Sequence, residues 1–197
     1  MRVSEMICKA FVDAKEKAPK RAPTAKELHR ARSVAWVKAL TKGFQAIYPV
    51  SSCYRVFSKP EKSNKADFRL SELLFDLAVC EVRRTASARG GHDLWYVAKA
   101  VWQVESEFAE DSRAAVLDFS KLVLGGAPNK LFVAPITDCP SAFSGPLLAV
   151  ARCCSGRVFP ALVPHPRDWD TDLAPEAFVF ATGGWMACDA EAVRDDG

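Results

Sequence analysis

The stretch LWYVAKAVWQVESEF, at residues 94–108, decides the fold of this chain. It is rich in β-branched and aromatic residues, which is typical of a strand. Near its end the pattern alternates, so that Val104 and Ser106 point to one face and Glu105 and Glu107 to the other. Because a carboxylate is costly to bury in apolar surroundings, we expect the two acids at the end of this strand, on the rim of a sheet.

A second apolar stretch, FDLAVCEV at residues 75–82, contains Asp76 near its start. The glycine-containing turn TASARGGHD joins it to the first stretch, and this order predicts two neighbouring strands. Asp76 would then lie close to Glu105 and Glu107. Carboxylates at such short range repel one another unless a cation neutralises them, and oxygen ligands suit Mg²⁺. The pattern therefore predicts a metal site.

A helix and a strand follow these acids. Asp111 or Ser112 can cap a helix over residues 112–124 that Gly125 ends, and LFVAP at residues 131–135 is typical of a short buried strand. Beyond it, the sequence predicts a helix in PSAFSGPLLAVARCC and two more strands in FPALVP and AFVFATG. The fold class that follows is α/β, with a central mixed sheet flanked by helices.

This order of acids and elements resembles the PD-(D/E)xK, or restriction-endonuclease-like, nuclease superfamily. Its αβββαβ core carries an acid on a leading helix, an Asp on a following strand and an acidic-x-Lys tripeptide on the next strand. The matching residues are Glu72 in RLSELLFD, Asp76, and Glu105 with Glu107 in WQVESEF, within residues 68–135. The resemblance implies that Glu72, Asp76 and Glu105 bind Mg²⁺, for which Mn²⁺ can substitute, and that these three and Glu107 are catalytic.

The tripeptide departs from the family pattern because Glu107 occupies its lysine position. Some restriction enzymes of this superfamily carry Glu-x-Glu there. Alternatively, Lys121, in the segment DFSKL of the following helix, supplies the missing cation. Arg113 lies on the same helix and could also reach a phosphate. The competing interpretations are ion pairs that join the acids to arginines such as Arg83, Arg84 or Arg113, and a surface pair between Lys121 and Asp118.

The positive charge lies in the first third of the chain. Residues 1–66 hold 15 Lys and Arg against 5 Asp and Glu, a net charge of +10, whereas residues 67–197 hold 12 against 19, a net charge of −7. A basic part would bind phosphates and an acidic part metal ions, as a nuclease requires. An unevenly charged surface without a function would give the same count.

Part of that positive charge lies on one predicted helix, at residues 24–48, which begins with a capping box formed by Thr24 and Glu27. Its apolar residues recur at helical spacing and predict a buried face: Trp36, Leu40, Phe44 and Ile47. The basic residues fall on the opposite face: Lys26, Arg30, Lys38 and Lys42. This face is either a surface that binds the phosphates of nucleic acid or a solubilising outer face.

We expect residues 1–23 to form a short helix and a basic linker, with the linker at 13–23, and residues 24–197 to form one nuclease-like domain. No apolar run approaches the length of a membrane span, and we therefore expect a cytosolic protein without a membrane partner. The seven cysteines lack a regular framework. The three histidines show no ligand spacing that would predict a zinc site: His29, His92 and His165.

The first hypothesis for function is therefore a Mg²⁺-dependent endonuclease that hydrolyses phosphodiester bonds in DNA. Dimerisation would fit this activity, because cutting both strands needs two sites. The second hypothesis is a non-catalytic nucleic-acid-binding or assembly protein with a degenerate nuclease-like core, and the substitution at Glu107 favours it. A glycosidase that uses the acids as general acid and base is a third, and the dispersed tryptophans argue against it.

Overall fold

The computed structural model describes residues 2–87, 93–109, 111–138, 140–181 and 183–188, and of residues 140–143 only the backbone. The helices in these ranges are α1 (Val3–Lys17), α2 (Ala25–Ile47), α3 (Asn64–Phe68), α4 (Ser112–Leu124) and α5 (Pro140–Ala151). The strands are β1 (Tyr54–Ser58), β2 (Leu77–Ala86), β3 (Asp93–Ser106), β4 (Asn129–Pro135), β5 (Arg157–Val163), β6 (Glu176–Ala181) and β7 (Gly184–Ala187). None of these helices combines the length and the apolar character of a membrane span.

The strands form one mixed sheet whose spatial order is the order of the chain. Strands β1, β2 and β3 are antiparallel neighbours, as are β5, β6 and β7, whereas β3, β4 and β5 run parallel. The parallel pairs need long crossovers, which α4 and α5 provide. Every residue of β4 is buried, as expected for a central parallel strand covered on both faces. The predicted α/β class with a mixed sheet and flanking helices is confirmed.

Helices cover both faces of the sheet. On one face, α1 and α2 pack against the sheet around Trp36, Phe44 and Trp102, all fully buried. On the other face, α4 and α5 pack around Phe119 and Phe132, whose rings stack with centroids 4.6 Å apart. The apolar face predicted for α2 is therefore the one that docks on the sheet.

Several local predictions need correction. The linker was predicted to start at residue 13, but α1 continues to Lys17, and its apolar side packs in the main core. The polar segment SKPEKSNKAD, at residues 58–67, has a composition typical of an exposed loop, but it contains most of α3. This helix has only five residues and no apolar repeat, and it is held by the edge contact of Phe68 with Phe57, whose ring centroids are 5.0 Å apart. Strand β7 was not predicted.

Candidate active site

Two predicted site acids meet where β2 begins and β3 ends. Leu77, the first residue of β2, pairs with Val104 of β3, so Asp76 comes next to the last residues of β3. The Oδ2 atom of Asp76 accepts a hydrogen bond of 3.0 Å from the backbone N–H of Ser106. The side chain of Ser106 faces the other way and accepts a hydrogen bond of 3.2 Å from the indole of Trp36. The alternation predicted for this strand thus directs the acids to the α4 side.

Glu105 is the most unusual of these acids because its side chain is 2% exposed. Its Oε2 lies 3.4 Å from the Nζ atom of Lys121, whereas its buried Oε1 has no hydrogen-bond partner among the described residues. Burial, and then the negative charge of Asp76, raise the pKa of Glu105 to about 8, and the nearby Lys121 only partly opposes them. If Glu105 is ionised, the positive charge of Lys121 therefore compensates its negative charge only in part.

Lys121 reaches Glu105 from α4. Its ammonium group lies 2.7 Å from Oδ1 of Asp118, one helical turn earlier. Burial lowers the pKa of Lys121, but the hydrogen bond with Asp118 and the charges of Glu105 and Asp118 outweigh it and raise the pKa above its ordinary value. Lys121 is therefore a cation at neutral pH. It can stabilise negative charge, but it cannot accept a proton there.

Glu107 lies just beyond the end of β3. Its Oε1 accepts a hydrogen bond of 2.6 Å from the backbone N–H of Ala109, and its carboxyl group lies close to that of Asp118. Burial and this contact with Asp118 raise the pKa of Glu107. Glu107 therefore holds a proton more readily than a free glutamate does.

A cleft of about 770 Å³ opens beside Asp76 and Glu107, whereas Glu105 and Lys121 do not line it. Three acids line it: Glu72, Asp76 and Glu107. Four cations also line it, two from α2 and two from the turn after β1: Arg30, Lys38, Lys59 and Lys62. The cleft therefore combines carboxylates that can hold a metal ion with cations that can bind phosphate.

The predicted site residues fall in several places. Glu72 lines the cleft, but it lies in an irregular segment before β2 and not on a leading helix, which corrects that expectation. Arg83 pairs with Glu81, and Arg84 pairs with Asp93, so these two arginines contact other acids than those of the rim. The pair between Lys121 and Asp118 forms as the alternative interpretation expected, while the same Lys121 also contacts Glu105.

The residues of the predicted basic face of α2 do not all line the cleft. Arg30 and Lys38 line the cleft, and Lys42 lines an adjoining groove. Lys26, in the first turn of α2, and Arg113, in the first turn of α4, line neither of these depressions in the part of the chain that the structure describes. Part of the predicted basic face of α2 therefore lines the cleft.

No family model, curated protein or solved structure matches this chain at a significant level. The chemistry of the rim is therefore inferred from the geometry of its side chains.

The rim fits a divalent cation that keeps several of its waters. Among the described residues, no three His, Cys, Asp or Glu side chains are grouped as a complete metal cage. Mg²⁺, however, is usually held by one or two carboxylates, with waters and substrate phosphates as further ligands. Asp76 and Glu105 supply two such carboxylates, and the unpaired Oε1 of Glu105 is a buried oxygen without a donor. This orphaned oxygen is what a cation would satisfy.

Four residues of the site were missed from the sequence as functional residues: Asp118, Lys59, Lys62 and His29. Asp118 could have been found from its position three residues before Lys121, which places both on one side of α4. His29 lines the cleft, and its ring contacts that of His165, with centroids 5.1 Å apart. These two histidines are far apart in sequence, so spacing could not reveal the contact. The third histidine, His92, lies outside the described residues.

The contact of Asp118 with Glu107 makes a prediction about pH dependence. In Asp118→Asn the negative charge that raises the pKa of Glu107 is lost. If Glu107 must be ionised for activity, we expect the acidic limb of the pH–rate profile to move to lower pH, with a loss in kcat of about tenfold from the misplaced Lys121. The measurement is kcat across the acidic and neutral range. An unshifted acidic limb would contradict the coupling of the two carboxyl groups.

Proposed function

We propose that this protein is a divalent-metal-dependent nuclease that hydrolyses phosphodiester bonds, with DNA as its substrate. The observation that carries this proposal is Glu105, a buried acid with an orphaned oxygen, beside Asp76, which itself lines a cleft together with several cations. Because the pKa of Glu105 is raised to about 8, ionising this acid beside Asp76 at neutral pH is costly unless a cation binds there.

The arrangement of elements supports the same proposal. Strands β1, β2 and β3, helix α4 and strand β4 come in the order expected of the nuclease core, with the short helix α3 inserted between β1 and β2. The resemblance implies an Asp on the strand before the acidic tripeptide; Asp76 lies just before β2, and Glu105 lies near the end of β3, which supports assigning these two acids to the motif. The irregular segment at Glu72 is a departure from this pattern, and we propose Glu72 only as a ligand at the mouth of the cleft.

Each residue of the rim would have its own part in hydrolysis. Asp76 and Glu105 hold Mg²⁺ or Mn²⁺, which supplies activation of water and stabilisation of charge on the phosphate when it is bound. Lys121, a cation at neutral pH, stabilises the same charge from α4. Glu107, with a raised pKa, accepts a proton beside the attacking water. Arg30 and Lys38 bind the phosphates that flank the scissile one.

The experiment that tests this function is cleavage of plasmid and linear DNA with and without Mg²⁺. We expect hydrolysis that requires the metal and that Asp76→Ala abolishes, while the fold is retained because Asp76 is half-buried at a strand end. Asp76→Asn removes the charge but keeps a side-chain oxygen that can accept the hydrogen bond from the backbone N–H of Ser106, so that variant controls for local structure. Metal-independent cleavage, or full activity of both variants, would refute the assignment.

A non-catalytic nucleic-acid-binding protein is the second candidate. It is favoured because Glu107 stands where the nuclease superfamily that the sequence resembles carries a lysine. Calorimetric titration with Mg²⁺ and Mn²⁺ distinguishes the two. The nuclease is expected to bind the metal with one or more sites that disappear in Asp76→Ala. A protein that binds DNA but takes up no metal through these carboxylates would be the non-catalytic one.

A further inference from the structure

A second depression adjoins the cleft on the surface of α2. It has a volume of about 310 Å³ and lies between the end of α1 and the middle of α2. Two residues of α2, Val34 and Lys38, line both depressions. The cleft and this groove are therefore continuous across α2, and we call the second depression the α1–α2 groove.

The α1–α2 groove differs from the cleft in charge. Its charged lining residues are all cations, namely Lys17, Lys38 and Lys42, and no acid lines it in the described part of the chain. Lys17 has a weak exposed partner in Asp13, at 3.8 Å, which leaves its charge accessible. The groove therefore suits a polyanion and lacks the carboxylates that would hold a metal ion.

Three cations of α2, Arg30, Lys38 and Lys42, lie on one row of the helix, with Val34 between the first two. Members of this row are four residues apart, so each step rises by about 6 Å along the axis. From Arg30 in the cleft to Lys42 in the groove the rise is about 18 Å, which matches roughly five stacked nucleotides at about 3.4 Å each. The row leads away from the acids at the rim.

We propose that the α1–α2 groove binds the nucleic-acid strand several nucleotides away from the scissile phosphate, and that Lys17 and Lys42 are its phosphate-binding residues. This inference rests on the proposed function, because it takes the cleft as the place where the strand is cut. Its consequence is a substrate that must extend over α2, so that affinity grows with length until the groove is filled.

The test uses the full chain without metal and single-stranded oligonucleotides of 4 and 16 nucleotides, with binding followed by fluorescence anisotropy. Wild type is expected to bind the longer probe more tightly. In the double variant Lys17→Ala/Lys42→Ala, the salt slope for the 16-nucleotide probe should fall by roughly 1.4, about 0.7 for each cation removed. That change corresponds to a roughly 25-fold loss of affinity at 0.1 M salt relative to 1 M.

The matched control is Lys9→Ala/Lys99→Ala, which removes two exposed lysines that line neither depression. It should keep the wild-type slope. Thermal melting checks the fold, and Lys17→Gln/Lys42→Gln replaces the alanine variant if the latter melts early. An unchanged slope and length preference in the groove variant, or no binding by wild type, would overturn the inference. A length preference that depends on the groove, in a protein that never cleaves with Mg²⁺, would overturn only the proposed hydrolysis.

Discussion

Glu105→Gln is expected to lower Mg²⁺-dependent cleavage on the order of 10³-fold, because it removes one of two carboxylates that would hold the ion. A metal ion contributes several kcal/mol to stabilising the charge of the transition state, and about 1.4 kcal/mol corresponds to tenfold in rate. Glutamine has nearly the same size and shape as glutamate, so the packing of β3 against α4 is preserved. The measurement is kcat under saturating DNA.

The same substitution is expected to stabilise the metal-free protein at alkaline pH. The folded-state pKa of Glu105 is raised from 4.5 to about 8, so the folded protein holds this proton more tightly than the unfolded chain does. The stabilisation that this bound proton gives the folded state is therefore fully present below pH 4.5 and is lost as the pH rises to about 8. In Glu105→Gln that loss disappears, and the variant should melt at a higher temperature than wild type once the pH reaches about 8.

Mg²⁺ provides the control for this stability effect. At a pH of about 8 it should raise the melting temperature of wild type, since it binds the folded state only, and it should leave Glu105→Gln nearly unchanged. In mildly acidic solution the protonated Glu105 should weaken the effect of Mg²⁺. Equal stabilisation of both proteins in the alkaline buffer would mean that the ion binds elsewhere.

Lys121→Met is the second change with a large expected effect. Methionine keeps most of the side-chain length but removes the charge that lies 2.7 Å from Asp118 and 3.4 Å from Glu105. We expect kcat to fall by about 10² to 10⁴-fold, the range found when a positioned polar group at the reacting centre is lost. Loss of activity caused by deprotonation of Lys121 at strongly alkaline pH should be absent from the pH–rate profile of this variant, because methionine does not titrate.

The control for Lys121→Met is Lys99→Met, which removes an exposed lysine far along β3 from the rim. It should keep wild-type kcat. Lys121→Arg separates charge from geometry, since it keeps the cation but changes its shape. Full activity of Lys121→Met would show that the lysine only forms a surface pair with Asp118, as the alternative interpretation of the sequence holds.

Much of the rim could be predicted because it depends on local patterns. The alternation of β3 determines which face carries Glu105, and this face is the one toward α4. The cap and end of α4 were readable from Asp111 and Gly125, and with them the helix on which Lys121 lies. Each of these features depends on residues that are close together in the sequence.

The rest depends on long-range packing, which leaves no local pattern. Lys59 and Lys62 follow β1, and they line the cleft only because the turn after this strand comes next to α2. The contact of His29 with His165 joins α2 to the segment after β5. Glu72 was expected on a helix from the family pattern, whereas the local sequence RLSELLFD forms an irregular segment here.

The most direct test of a metal ion at this rim is a crystal structure of the protein soaked in Mn²⁺, with the ion located by its anomalous signal. The prediction is a single peak at bonding distance from both Asp76 and Glu105, with Oε1 of Glu105 no longer without a partner. A structure in which no ion binds between these carboxylates, and in which both oxygens of Glu105 are satisfied by protein groups, would contradict the proposed nuclease site.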